Sequence, residues 1–333
     1  MLDDKVILIT GGTGSFGYQF VNYILSNYTP RKVIIYSRDE YKQFVMDNKY
    51  KLHRQYSKLR FFIGDVRDEV RLKMAMKNVD YVIHAAALKQ VPVCEYNPSE
   101  AIKTNINGAL NVINAALESG VKKVIALSTD KAVNPVNLYG GTKLVSDRLF
   151  CAANSYSGMN GTRFAVVRYG NVAGSRGSVI PFFKNIIDNG GVELPITDYR
   201  MTRFWISLKE GVMLVIKALE DARGGETFIS KIPSFKITDL AQAMLPGCKM
   251  PEVGIREGEK LHEIMITRED ATHTYEYEKY FVIYPNYNWW GAKELIPGGE
   301  KVQVGLEYSS GENKDWLSVD DIRELLKTDI VDC

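Results

Sequence analysis

Short apolar runs alternate with longer amphipathic stretches through the first half of the chain. The runs at 5–10, 32–37, 59–63, 79–84, 122–127 and 163–169 are rich in Val and Ile. They read as strands of a parallel sheet buried on both faces. Between them, 16–27, 39–56, 68–77, 98–119 and 137–157 carry helical spacing, with Phe16, Phe20, Tyr23 and Ile24 along one face of the first. Such alternation predicts an α/β fold, a Rossmann-like doubly wound parallel sheet with right-handed crossovers. Beyond about residue 170 the pattern loosens into pieces punctuated by Gly and Pro. We read 1–170 as a nucleotide-binding domain and 171–330 mainly as a smaller C-terminal lobe over the carboxyl ends of the strands, where ligands bind in such sheets. The segment 204–220 is predicted to return to the main sheet as a strand and a helix.

Bulk properties narrow the possibilities. The chain has 333 residues, 45% hydrophobic and 25% charged, enough for one large α/β domain or two lobes with ample core. A net charge of +2, without a basic stripe, argues against nucleic acid as the main partner. Cys94, Cys151, Cys248 and Cys333 are scattered without metal-ligand spacing, which predicts a reduced, cytoplasmic protein with no metal. No apolar run reaches membrane-spanning length and the first ten residues lack signal-peptide character, so no membrane association is expected.

Chemistry enters at two places. The first apolar run feeds Gly11-Gly12-Thr13-Gly14-Ser15-Phe16-Gly17 and then a helix. Strand, glycine turn and helix together make a dinucleotide site: the turn lets backbone approach a pyrophosphate, and the helix N-terminus favours its charge. The second place is Ser128-Thr129-Asp130-Lys131, followed eight residues on by Tyr139-Gly140-Gly141-Thr142-Lys143. Tyr-x-x-x-Lys puts both side chains on one helix face. The lysine ammonium is then expected to lower the phenol's pKa and make it a usable base. The tetrad adds a hydroxyl, a carboxylic acid and an amine at a strand end, more than a simple dehydrogenase requires.

These pieces, with Gly64-Asp65-Val66-Arg67-Asp68 and His84-Ala-Ala-Ala87, resemble the extended short-chain dehydrogenase/reductase family. Longer strings are similar to one branch of it, the inverting UDP-N-acetylglucosamine 4,6-dehydratases of pseudaminic acid biosynthesis. They are Tyr36-Ser-Arg-Asp-Glu40, Ala87-Leu-Lys-Gln-Val-Pro92, Ser128-Thr-Asp-Lys131, Arg168-Tyr-Gly-Asn-Val172, Ser175-Arg-Gly-Ser178, Arg200-Met-Thr-Arg-Phe-Trp205 and Arg256-Glu-Gly-Glu-Lys-Leu-His-Glu263. The stretch Tyr275 to Gly299, with Asn288-Trp289-Trp290, matches least, and no function is assigned to it.

The resemblance implies a tightly held nicotinamide dinucleotide on Gly11, Thr13, Gly14, Ser15, Phe16 and Gly17. Where NAD-binding members usually place an acid, this chain has Ser37 and Arg38, a hydroxyl and a guanidinium suited to a 2′-phosphate. NADP is therefore expected, with Asp39, Glu40 and Lys42 at the same end; the alternative is that Arg38 only pairs with Asp39 or Glu40. Asp65 and Val66 suit the adenine edge, Ala85 and Ala86 leave room for the nicotinamide ribose, and Lys89 is placed to reach cofactor or sugar. By resemblance Val172 also belongs to the cofactor site. Substrate contacts are implied at Asn171, Val172, Ile180, Pro181, Phe182, Phe183, Arg203, Arg256 and Glu259, the two arginines as clamps for the diphosphate of UDP-N-acetylglucosamine. His262-Glu263 lacks a second ligand at metal spacing and reads as structural.

In the implied mechanism Tyr139 is the base at O4 and Lys143 holds the ribose. Thr129 hydrogen-bonds the sugar, Asp130 protonates the leaving O6, and Lys131 removes the C5 proton. Lys131 must be neutral for this, and burial, Lys143 and the cofactor's charge are expected to lower its pKa. Retaining dehydratases carry Asp-Glu at this pair, so Lys131 points to inversion at C5. The alternatives are a dehydratase that stops at the 5,6-ene or retains C5, an epimerase or reductase of the same family, and a catalytically silent redox sensor. Helices 98–119 and 137–157 are expected to pair in a homo-oligomer, a dimer or hexamer.

Overall fold

The computed structural model describes residues 1–158, 161–175, 177–287 and 294–329; Arg176, Asn288-Trp289-Trp290 and Cys333 lie outside them. The six apolar runs form β1 (Val6–Thr10), β2 (Lys32–Ser37), β3 (Leu59–Ile63), β4 (Tyr81–His84), β5 (Lys123–Thr129) and β6 (Arg163–Tyr169). They pair in parallel in the order β3-β2-β1-β4-β5-β6. Thr10 is level with Tyr36 on one side and His84 on the other, so the strands end along one edge. The crossovers carry α1 (Ser15–Asn27), α2 (Glu40–Tyr50), α3 (Glu69–Ala75), α4 (Val91–Tyr96), α5 (Pro98–Ile102), α6 (Gly108–Ser119) and α7 (Leu138–Ala152).

Two predicted helices depart from their periodicity. The 39–56 stretch ends as a helix at Tyr50, and the chain turns so that Gln55 Nε2 donates to the Leu25 and Tyr28 carbonyls. The 98–119 stretch is interrupted by a π-helical turn over Lys103–Asn107. Such turns mark places where a side chain is re-aimed. Here Asn105 accepts from Leu88 N at 2.8 Å and donates to Leu88 O and Thr142 Oγ1, each at 2.9 Å, tying the loop after β4 to α7.

After β6 the chain leaves the sheet for α8 (Val179–Asp188) and β7 (Thr202–Phe204), and returns with α9 (Leu208–Asp221) and β8 (Thr227–Ser230). It leaves again through β9 (Ser234–Lys236), α10 (Ile237–Met244) and β10 (Ile264–Ile266). It returns as β11 (Thr274–Glu276), β12 (Tyr280–Ile283) and β13 (Glu300–Lys301), then ends with β14 (Tyr308–Ser309) and α11 (Val319–Asp329). β8 pairs in parallel with β6, and β12, β11 and β13 extend that edge antiparallel, giving a ten-stranded sheet. The expectation for 204–220 is corrected in one respect: only its helix rejoins the main sheet. Phe204 ends β7, which pairs with β9 in a separate ribbon. The returning strand is β8, whose Phe228 and Ile229 are fully buried, whereas β7 carries the buried charge of Arg203.

Alternate residues of the strands feed two cores, one on each face. Ile7, Ile9, Ile35 and Ile125 meet Phe20 and Ile24 of α1 and Val212 and Val215 of α9. Leu8, Ile34, Val82 and Val124 meet Leu72 of α3, Val112 of α6 and Phe150 of α7. A third core, with Phe183, Trp205, Phe235, Leu240 and Ile322, holds the second lobe together.

Candidate active site

A cleft of about 1040 Å³ runs along the carboxyl ends of the strands, between the sheet and the second lobe. That is at the upper end of the ~300–1,000 Å³ usual for one small ligand, room for more than a single sugar. At one end β1 gives way to α1. A Cβ on Gly17 would lie 2.1 Å from the Gly12 carbonyl oxygen, so only glycine lets the helix start this close to the strand. α1 begins at Gly14 with no capping side chain, and residues 14–17 line the cleft, so the positive helix end faces it. Thr13 Oγ1 and Ser37 Oγ are 2.8 Å apart beside this turn. Arg38 is half exposed, its Nη1 3.8 Å from Asp65 Oδ2, which also takes Arg67 Nη2 at 2.7 Å. Gly11, Val66, Ala85, Ala86, Lys89 and Lys42 line the same end. Asp39 lines it too but spends its carboxylate capping α2 through Lys42 N at 2.9 Å. Glu40 is exposed at the start of α2 and is not among the residues lining the cleft.

The reactive edge forms where β5 ends. Thr129 Oγ1 donates to Asp130 Oδ1 at 2.9 Å, and Asp130 is fully buried just behind the cleft wall. Lys131 Nζ donates to Asn171 Oδ1 at 2.8 Å, Asp130 Oδ1 at 3.1 Å and Glu263 Oε1 at 3.2 Å. Tyr139 faces this group because α7 is pressed against the turn: a Cβ on Gly140 would lie 2.1 Å from the Lys131 carbonyl oxygen. Asn137 caps α7 by accepting from Gly140 N at 2.8 Å, and its amide donates to Gly258 O at 2.8 Å, joining the two walls. Below Lys143, Asp147 accepts from Ser128 Oγ at 2.6 Å and lies 3.7 Å from Arg168 Nη2.

Burial and these charges shift the proton affinities of the groups. Burial, then the neighbouring negative charge of Glu263, push Asp130 above the usual carboxylate range, against the pull of Lys131 and Thr129. Burial pushes Tyr139 up to about 12; Lys131 is the strongest opposing influence. The motif's expectation is thus corrected: the phenol is raised, and the cation that most favours its ionisation is Lys131 rather than Lys143. Burial holds Lys143 below its usual value, with Asp147 opposing. The expected lowering of Lys131 is also corrected. Burial alone would lower it, but the charges of Asp130 and Glu263 outweigh that and hold it as an ammonium.

Towards the second lobe Asn171, Val172, Pro181, Phe182, Phe183, Arg256 and Glu259 line the cleft. The Arg256 guanidinium sits 5.7 Å over the Phe182 ring at the rim, and Glu259 Oε2 is buried with no hydrogen-bond partner among the described residues. Ile180 is corrected: it is buried in the second lobe's core and does not line the cleft. Arg203 lines the cleft but is buried and engaged, donating to Thr202 O at 2.8 Å with its Nε 3.7 Å from Glu263 Oε1. Glu263 is the residue the sequence reading missed. His262 bonds Thr202 Oγ1 at 2.8 Å, as a structural residue would, while its neighbour reaches the reactive edge. No local signal marks this, since Glu263 meets Lys131 only through the fold. Among the described residues no group of His, Cys, Asp and Glu could hold a metal ion, and no helix is long and apolar enough to cross a membrane.

A doubly wound sheet with a glycine turn, a Tyr-x-x-x-Lys helix and a covering lobe defines a class, and comparison with known proteins agrees with it. Residues 7–285 match the family described as polysaccharide biosynthesis protein, and the chain belongs to that family. It is 57% identical over 332 residues, 98% of each chain, to a UDP-N-acetylglucosamine 4,6-dehydratase (inverting) of Campylobacter jejuni. It is 43% identical over 98% of its length, and 97% of the relative's, to a UDP-glucose 4-epimerase of Rickettsia canadensis. The solved structure of Pen from Bacillus thuringiensis superposes with a TM-score of 0.90 at 37% identity, covering 99% of both chains.

Proposed function

We propose that this protein is a hydro-lyase that removes water across C5–C6 of UDP-N-acetylglucosamine and inverts C5. The expected product is UDP-2-acetamido-2,6-dideoxy-β-L-arabino-hexos-4-ulose, a precursor for pseudaminic acid-type glycans. The observation that carries this reading is the amine of Lys131 lining the same cleft as Tyr139, with the acid Asp130 paired to it at 3.1 Å just behind the wall. An epimerase needs only the tyrosine.

The cleft fits NADP: an uncapped helix end for a pyrophosphate, and no acid at the end of β2, where Ser37 and half-exposed Arg38 stand. Bound there, the cofactor would take hydride from C4, return it to C6, and bring a positive ring beside the phenol. Tyr139 then accepts the O4 proton, Thr129 holds the sugar hydroxyl, and Lys143 anchors the ribose. The C4 ketone acidifies C5–H, Lys131 removes that proton, and Asp130 protonates O6 as it leaves. Arg256 and Glu259 bind the nucleoside diphosphate end, with Phe182 supporting Arg256. We assign the protein to the cytoplasm, where thiols such as Cys94, Cys151 and Cys248 stay reduced. We also infer a homo-oligomer through α6 and α7, which expose Leu110 and Val145.

The test is incubation with UDP-N-acetylglucosamine in D₂O, with the product assigned by NMR. The expected result is a 4-keto-6-deoxy sugar of L-arabino configuration with deuterium at C5 and no net change at 340 nm. A first-formed D-xylo product would make the enzyme retaining. A simple C4 epimer would favour the activity named for the Rickettsia relative.

A further inference from the structure

A lysine ammonium has three N–H donors and no acceptor. Lys131 has three acceptors around it among the described residues: Asn171, Asp130 and Glu263. The first two stand at the ends of neighbouring strands; Glu263 comes from the second lobe, just before β10. Its backbone is pinned on both sides, N–H donating to Ser310 Oγ at 2.9 Å and C=O accepting from Ser310 N at 2.8 Å. The side chain is almost fully enclosed, with Oε1 between Lys131 and Arg203 and Oε2 without a hydrogen-bond partner among the described residues. A carboxylate with a purely structural task is normally satisfied at both oxygens when buried.

We propose that Glu263 is the positioning residue of the elimination step, holding Lys131 Nζ against Asp130 Oδ1 so that Asp130 is the carboxylate that receives the lysine's proton. This rests on the dehydratase reading of the cleft, in which Lys131 is an ammonium at rest, held so by Asp130 and Glu263 alike. The Nζ–H bond directed at Asp130 breaks and an O–H bond forms on Oδ1. Ammonium and carboxylate become amine and acid with no change in net charge. The amine takes hydrogen from C5 as a proton, and the C–H electron pair becomes the C5=C6 bond. The C6–O6 bond breaks with its pair going to oxygen, which takes the Asp130 proton and leaves as water. Lys131 ends as an ammonium and Asp130 as a carboxylate, as they began; Glu263 is unchanged throughout. The proton goes to Asp130 because that group is fully buried beside a negative charge, which raises its affinity for protons. Glu263 is driven the other way: burial raises it, but Lys131, Arg203 and Lys260 outweigh burial and keep it ionised.

Glu263→Gln keeps the shape and one acceptor oxygen but removes the charge. Loaded with NADP and mixed with UDP-N-acetylglucosamine, this variant is expected to oxidise C4 within about tenfold of the unaltered protein, read as absorbance rising at 340 nm. Elimination should fall about 100-fold or more, so that the 340 nm signal persists instead of decaying. Glu263→Asp restores a carboxylate and should recover at least tenfold of the lost elimination. Equal losses in oxidation and elimination, or elimination by Glu263→Gln within threefold of the unaltered protein, would overturn the assignment. If the glutamine variant does not fold, Glu263→Asp alone decides: its shorter stem must slow elimination more than oxidation, and parallel losses reject the proposal. Failure of the dehydratase reading shows separately, as no dehydration by the unaltered protein.

Discussion

Three donors on Lys131 meet three acceptors around it, the arrangement of an ammonium at rest. Tyr139 acts on O4 and Lys131 on C5, so their removal should stop the reaction at different points. Tyr139→Phe should lose the first hydride transfer, with turnover falling by about 10² or more while UDP-sugar binding holds. Lys131→Ala should still reduce bound NADP on mixing but fail to eliminate. Stopped-flow absorbance at 340 nm distinguishes them; identical traces would mean one residue serves both steps. At the other end of the cleft, half-exposed Arg38 pairs with Asp65 at a long 3.8 Å among the described residues. If it meets a 2′-phosphate as proposed, it makes a charge-assisted bond that NAD cannot make. Arg38→Ala should weaken NADP binding much more than NAD binding by calorimetry. Equal losses would return Arg38 to the role of a surface charge.

Elements were legible in the sequence where one period ruled. The buried runs of β1 to β6 and the glycine turn need only local pattern, and the structure follows them closely. Where a tertiary contact overrode the period, pattern failed: Asn105 takes a π turn to reach Leu88 and Thr142, and the start of 204–220 ends β7, which pairs with β9 outside the main sheet. Glu263 itself is 132 residues from Lys131, a separation no local motif spans. α7 shows the same conflict inside Tyr139-Gly-Gly-Thr-Lys143. Gly→Ala in a helix interior normally gains up to ~1 kcal/mol. Gly141 has nothing within 4 Å of an added Cβ, so Gly141→Ala should raise stability by about that amount. At Gly140 the Cβ would meet the Lys131 carbonyl oxygen at 2.1 Å, and overpacking of ~1–3 kcal/mol exceeds the helix gain. Gly140→Ala should therefore lower the denaturation midpoint and shift Lys131 enough to cut elimination. A stabilised, fully active Gly140→Ala would show that α7 does not set the position of Lys131.

One ten-stranded sheet, fed by distant segments, runs through the molecule, and its middle is where acid should act. β4 lies between β1 and β5, and at its end His84 is buried, bonding Thr10 Oγ1 through Nδ1 at 2.9 Å with the Phe150 ring 5.5 Å away. Burial, helped by the Lys143 charge, lowers its pKa to about 3 from 6.5. The folded protein therefore holds His84 neutral where the unfolded chain takes up a proton. Stability from this group is present above pH ~6.5 and is lost as pH falls towards about 3. The loss should be about 2 kcal/mol by pH 5, a large share of the ~5–15 kcal/mol typical of a folded protein. Carboxylates raised by burial, such as Asp130 and Asp147, act in the opposite sense, adding stability as pH falls through their raised values towards the ordinary carboxylate range. His84→Gln removes the titrating group and leaves these in place. Urea midpoints at pH 7.5 and 5 should fall further for the unaltered protein than for this variant, even if the variant starts lower. Equal falls in both would mean that His84 is not the group through which acid loosens the sheet.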